Sequence, residues 1–188
     1  ATEPLSCPGD LGAFGCYIPF EFMCNYNTNQ HDGEKRFAQA LVDSGLSAAI
    51  VPDRPLEESR PGCDEADEAG IETVMLAAPT APDDRLPRIV ARARGFVYAV
   101  GLLGVTGERD ELASTALTLA RRVKAITDVP VLIGVGISNA KQAVEAVTVA
   151  DGVIQGASVV RRLMEFGPDA VCEYVGQVRV PLDNAVGA

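Results

Sequence analysis

Three observations predict an α/β fold built from repeated βαβ units. Short β-branched runs alternate with longer amphipathic segments along nearly the whole chain, and the runs start 31, 24, 24, 35 and 21 residues apart. The last two runs end in glycine-rich turns. Spacing of this kind leaves room for one helix between consecutive strands, which makes the sheet parallel with right-handed crossovers. The 188 residues, 47% of them hydrophobic, are enough for a single domain with a sizeable core.

Residues 1–18 form an unassigned N-terminal segment, and the first strand, Tyr17–Cys24, overlaps its end. A helix follows over Glu34 to Ser44, with Phe37 and Leu41 inward and Gly45 placed to stop it. Further strands are expected at Ala48–Val51, Glu72–Ala77, Phe96–Val100, Val131–Val135 and Gly152–Ile154. Between the fourth and fifth, Leu112, Ala116, Leu119, Val123 and Ile126 fall on one helical face, while Arg121, Arg122 and Lys124 face away. Asn139, ahead of AKQAVEAV, has the chemistry of an N-cap. A closed barrel and an open doubly wound sheet both fit this alternation. The GxGxxG turn of a dinucleotide-binding sheet is missing after the first strand. Glycine turns at the last two strands are where barrels hold phosphate, so a TIM (β/α)8-type barrel is expected, with about six recognisable units over residues 1–188.

The formal charge of −10 argues against nucleic acid, whose binding runs on clustered Lys and Arg. Every apolar run is broken well before the roughly 18–20 residues of a membrane span. ATEPLSCPGD lacks the charged and apolar regions of a signal peptide, so a cytoplasmic location is expected. Five cysteines (Cys7, Cys16, Cys24, Cys63 and Cys172) contain no CxxC pair, which predicts reduced thiols and no metal site. The single histidine, His31, sits in the polar stretch NTNQHDG and is expected to be solvated. Chemistry in such a chain falls to carboxylates and oriented backbone.

Two turns stand out. Gly136 and Ile137 precede one helix, and Gly156, Ala157 and Ser158 open another, SVVRRLM. Glycines let an anion approach the backbone, and helix starts present unpaired N–H groups with partial positive charge. Turns on adjacent strands would converge on one phosphate without any Lys or Arg. Between the fourth strand and its helix, Gly104–Asp110 has the small residues of a mobile lid.

The strings ARGFVYAVGLLGVTGERDEL and VPVLIGVGISNAKQAVEAVTVADGVIQGASVVRRL resemble the tryptophan synthase alpha subunit family. IVPDRPLEES, MLAAPTAPDDRLPRI and MCNYN with GEKRFAQALVDSG are similar to it too, in order, over about residues 19–165. The resemblance implies cleavage of indole-3-glycerol phosphate to indole and glyceraldehyde 3-phosphate, with no cofactor in this chain. It also implies a beta-subunit partner carrying pyridoxal phosphate, in a heterotetramer. By resemblance Gly107, Gly136 and Gly156 are phosphate-loop glycines, Tyr98 lines the indole pocket, Thr106 belongs to the closing loop and Asp53 supports the site. GVTG with VGVGIS argues against other phosphate-binding barrel enzymes.

The family's acid–base pair, a glutamate ending the second strand and an aspartate in a PFSDPxADGP-like loop, has no counterpart in these residues. Three explanations follow. The polypeptide extends beyond these residues; the chain is a shortened, inactive relative that binds phosphate or a beta subunit; or another carboxylate substitutes. Glu21 is the candidate substitute, because strand alternation puts it with Met23 and Asn25 on the face that the resemblance turns into the barrel. The family's GSA is Gly156-Ala157-Ser158 here, so the hydroxyl lies one position later.

Overall fold

The computed structural model describes residues 18–26, 33–101, 114–134 and 136–186. Thr106 and Gly107 of the expected closing loop lie outside the described residues, as do His31, Leu112 and Val135. The described residues form two compact units. One holds those up to Met75 together with Arg92–Gly95, and the other holds Leu76–Ala91 and those from Phe96 onward.

In the first unit, β1 (Glu21–Met23), β2 (Ala48–Ile50) and β3 (Glu72–Ala77, continuing into the second unit) run parallel in chain order. Their first residues are in register, Glu21 with Ala48 and Ala48 with Glu72. Helix α1 (Glu34–Asp43) buries Ala38 and Leu41, and α2 (Arg60–Ala69) buries Cys63 and Ala66. Leu41, Ala49, Ala66 and Ile71 form the core, with Phe22 and Phe37 packed against it. The expected stop of α1 at Gly45 is present: its φ of 69° is a left-handed turn, and Leu46 N–H donates back to the Leu41 carbonyl. Beyond β2, the Arg54 guanidinium reaches Glu34 at 2.5 Å and lies 4.5 Å from the centre of the Tyr26 ring.

The second unit begins with the end of β3 and α3 (Leu86–Arg92). It continues through β4 (Val97–Ala99), α4 (Ser114–Lys124), β5 (Val131–Ile133), α5 (Ala140–Val147) and β6 (Gly152–Val153). Helices α6 (Ala157–Phe166) and α7 (Pro168–Val186) close it. β4 pairs with β5 and β5 with β6, all parallel. Val97, Ala99, Val131 and Ile133 are fully buried, as are Ala116, Ala120 and Val123 of α4, with Leu119 at 1% exposure. Burying Leu119 and Val123 contributes about 1.5–3 kcal/mol each. Tyr98 and Leu132 alternate with these residues and so point to the other face of the sheet.

One expectation for α4 is corrected: Ile126 is 43% exposed, because the helix ends at Lys124 and the next residues turn away. Arg122 lies off the buried face as expected, and it has partners there. It ties down the turn after β3, donating to the Ala81 carbonyl at 2.8 Å and to Asp83 at 2.6 Å.

Asp151 holds the start of β5 from the adjacent connection. It accepts from Val131 N–H at 2.7 Å and from the Lys124 ammonium at 2.9 Å. Burial pushes the Asp151 carboxyl up, but the Val131 N–H and Lys124 outweigh burial and hold it below its ordinary value. A lowered folded pKa stabilises the fold above the unfolded value, about 3.9, and the gain is lost as pH falls through the folded value. Urea midpoints of wild type and Asp151→Asn are therefore expected to differ at neutral pH and to converge in acid. A gap that stays constant from pH 7 to pH 2 would contradict this.

Candidate functional site

The turns after β5 and β6 meet in the second unit. Gly136, with φ 70°, brings the chain out of β5 in a conformation open to glycine and costly for most other residues. Asn139 then caps α5 as expected, its side-chain oxygen accepting from Gln142 N–H at 3.0 Å. The buried Gln142 amide turns back and accepts from both the N–H and the hydroxyl of Ser138, at 2.8 and 3.1 Å. Ser138 N–H is therefore committed to the turn itself.

After β6, Val159 and Val160 N–H donate to the Gly156 carbonyl, which starts α6. The N–H groups of Gly156, Ala157 and Ser158 precede these bonds and are the ones a helix start leaves open. Gly156 and Ala157 are exposed and Gly136 is half-buried, whereas Ile137 and Ser158 are buried. The Ile137 carbonyl joins the turns, accepting from the Ser158 hydroxyl and the Gln155 amide, each at 3.4 Å. These are long contacts. Shorter ones back them: Gln155 donates to the Tyr174 hydroxyl at 2.7 Å, which donates to Ser158 Oγ at 3.1 Å. Arg162 stacks over the Tyr174 ring at 3.7 Å and donates to the Ser158 carbonyl at 3.1 Å. The Ser158 hydroxyl is thus built into this junction.

Tyr98 reaches across from β4. Its hydroxyl donates to the Gly134 carbonyl at 2.9 Å, and burial pushes that hydroxyl's pKa up, which keeps it protonated as a donor at neutral pH. The ring occupies the place where a side chain on residue 134 would stand: a Cβ there would lie 2.4 Å from Tyr98. Tyr98 is therefore fixed beside the strand end that leads into the Gly136 turn.

In the first unit, Asp53 follows β2 and is exposed, accepting from Tyr26 N–H at 2.7 Å. That bond fixes the segment that follows β1. Glu21 is a correction. It opens β1, in register with Ala48 and Glu72 at the N-terminal end of these strands, whereas Asp53 lies past the C-terminal end of β2. Glu21 is exposed rather than enclosed, and partial burial with the Glu72 charge pushes its carboxyl up. It stands at the wrong end for a substitute catalytic carboxylate.

Gln155, Gln142, Tyr174 and Arg162 did not stand out in the sequence. The capping amide at Gln142, three residues after Asn139, carries the only local signal. Among the described residues no group of three or more His, Cys, Asp and Glu could hold a metal ion, and no helix is long and apolar enough to cross a membrane.

Because Tyr98 fills the space over Gly134, Gly134→Ala is expected to destabilise the chain by about 1–3 kcal/mol. Tyr98→Ala should remove the clash, so the double variant should cost less than the two single variants added together. Urea unfolding of the four proteins measures this, and simple additivity would contradict the packing described.

Residues 10–178 match the family described as tryptophan synthase alpha chain. The tryptophan synthase alpha chain of Streptomyces coelicolor is 42% identical over 152 residues, which are 81% of this chain and 56% of that protein. The Thermobifida fusca alpha chain is 39% identical, covering 88% of this chain and 63% of that one. The chain thus spans little more than half the length of these curated relatives. A solved chain from the Pyrococcus furiosus tryptophan synthase α2β2 complex superposes with a TM-score of 0.75 at 34% identity, covering 90% of this chain and 67% of that one. A tryptophan synthase structure from M. tuberculosis gives a TM-score of 0.78 at 29% identity, covering 87% of this chain and 61% of that one. The fold is accordingly of the expected α/β TIM type, with six strands among the described residues. On the extent of the family match and the identity to its curated members, the chain belongs to the tryptophan synthase alpha chain family.

Proposed function

We propose that this chain grips the phosphate of indole-3-glycerol phosphate in a lyase of tryptophan biosynthesis, which releases indole and glyceraldehyde 3-phosphate. The observation that carries this reading is the junction of the two glycine turns. N–H groups of Gly136, Ile137, Gly156 and Ala157 lie in turns tied together at the Ile137 carbonyl. Backbone donors suit a dianion because they keep their charge distribution at every pH and need no side chain to be ordered. Tyr98, held at the end of β5, supplies an aromatic face beside the phosphate for the indole ring.

In the proposed reaction the bond between indole C3 and the glycerol chain breaks. The adjacent hydroxyl loses its proton and becomes the aldehyde, and indole C3 gains a proton. These transfers need tuned carboxylates and no cofactor. The partner in this reading is a tryptophan synthase beta subunit, which brings pyridoxal phosphate for the later step. The α2β2 complex named for the Pyrococcus furiosus protein supports that partner.

The second reading, in which the chain binds the phosphorylated substrate or a beta subunit without cleaving anything, is told apart by indole release.

Calorimetric titration is expected to show indole-3-glycerol phosphate and glyceraldehyde 3-phosphate competing for one site. The dephosphorylated indolylglycerol should bind about 100-fold more weakly, from the loss of two or so charge-assisted hydrogen bonds. Equal affinity with and without the phosphate would overturn the proposal. Indole release in the same samples separates the lyase from the binder.

A further inference from the structure

We infer that Tyr174, on the long helix α7, is a positioning residue that sets the two anion-binding turns against each other. The inference rests on the phosphate reading above and extends it to a helix that contributes nothing to the turns themselves. Tyr174 is 4% exposed, and its ring is covered by the Arg162 guanidinium. Its hydroxyl sits in the middle of a directed chain: Gln155 donates to it, it donates to Ser158, and Ser158 donates to the Ile137 carbonyl.

Each hydroxyl in that chain accepts one bond and donates the next, so the order of donors leaves little freedom. Gln155 immediately precedes Gly156, and Ile137 immediately follows Gly136. Fixing the Gln155 side chain and the Ile137 carbonyl therefore fixes the glycines beside them. Arg162 adds a second hold, since it both covers Tyr174 and donates to the Ser158 carbonyl inside the first turn of α6. The departure seen in the sequence, Ala157-Ser158 in place of a serine directly after Gly156, takes on a structural meaning here. Moving the hydroxyl one position along turns it inward to Tyr174 and leaves anion binding in this chain to backbone N–H groups.

Removing the Tyr174 hydroxyl breaks the chain at its centre. Gln155 loses its shorter acceptor and Ser158 loses its only side-chain donor among the described contacts. The ring and its packing remain in Tyr174→Phe, so the turns loosen without the helix being displaced.

The test is calorimetric titration of the full chain with inorganic phosphate, alongside urea unfolding. Tyr174→Phe is expected to weaken phosphate binding about three- to tenfold, the loss of roughly one net hydrogen bond. Ser158→Ala, a smaller change, should give a loss of the same size, and the double variant should be no weaker than the worse single one because both cut the same chain. Val178→Ala is the control. Val178 is buried one turn further along α7, so this variant should lower stability and leave phosphate affinity unchanged. Wild-type affinity in Tyr174→Phe, or an equal loss in Val178→Ala, would overturn the inference while the phosphate reading stood. A wild-type chain that binds no phosphate would overturn both.

Discussion

The Ile137 carbonyl is the point on which the geometry of the proposed phosphate site depends. A parallel sheet sets the turns that leave neighbouring strands side by side, but adjacency alone does not aim their N–H groups at one place. Here the carbonyl at the base of the first turn receives two donors from the second. Those donors are fixed in turn by a buried hydroxyl on α7. Buried polar groups cost stability unless their partners are present, and linked groups strengthen one another. With Ser158 and Tyr174 both nearly excluded from water, this cluster either forms as a unit or destabilises the end of the chain.

The same economy of space appears at β4 and β5. Tyr98 lies across Gly134, so an aromatic ring and the strand end that begins the first turn occupy one another's room. The close aromatic contact holds Gly134, and the polar network holds Ile137 and Ser138. A short turn with a left-handed glycine gains its definition from neighbours rather than from its own preferences.

Much of the fold was legible in the sequence because alternation and spacing are local properties. Glu72–Ala77 runs over the residues expected, and the other strands fall within their expected runs but end earlier. β1 is the shortest relative to expectation: three residues pair, where the run Tyr17–Cys24 suggested a longer strand. Gly45 and Asn139 act as helix stop and cap because those roles are set by the residue itself. Helix α7 was not anticipated, since Pro168, Gly176 and Pro181 interrupt its pattern and it takes its place by packing. The turns were legible, but what ties them was not. Tyr174, Gln155 and Arg162 are ordinary residues whose meaning comes from contacts across the unit. Glu21 misled for the opposite reason: alternation assigns a face and says nothing about which end of a strand a residue occupies.

The most direct measurement is an amide-resolved NMR titration of the chain with inorganic phosphate. The account predicts that the backbone amides of Gly136, Ile137, Gly156 and Ala157 shift together along one binding curve, as donors from both turns to a single dianion. Shifts confined to one turn, or absent from both while phosphate binds elsewhere, would contradict it.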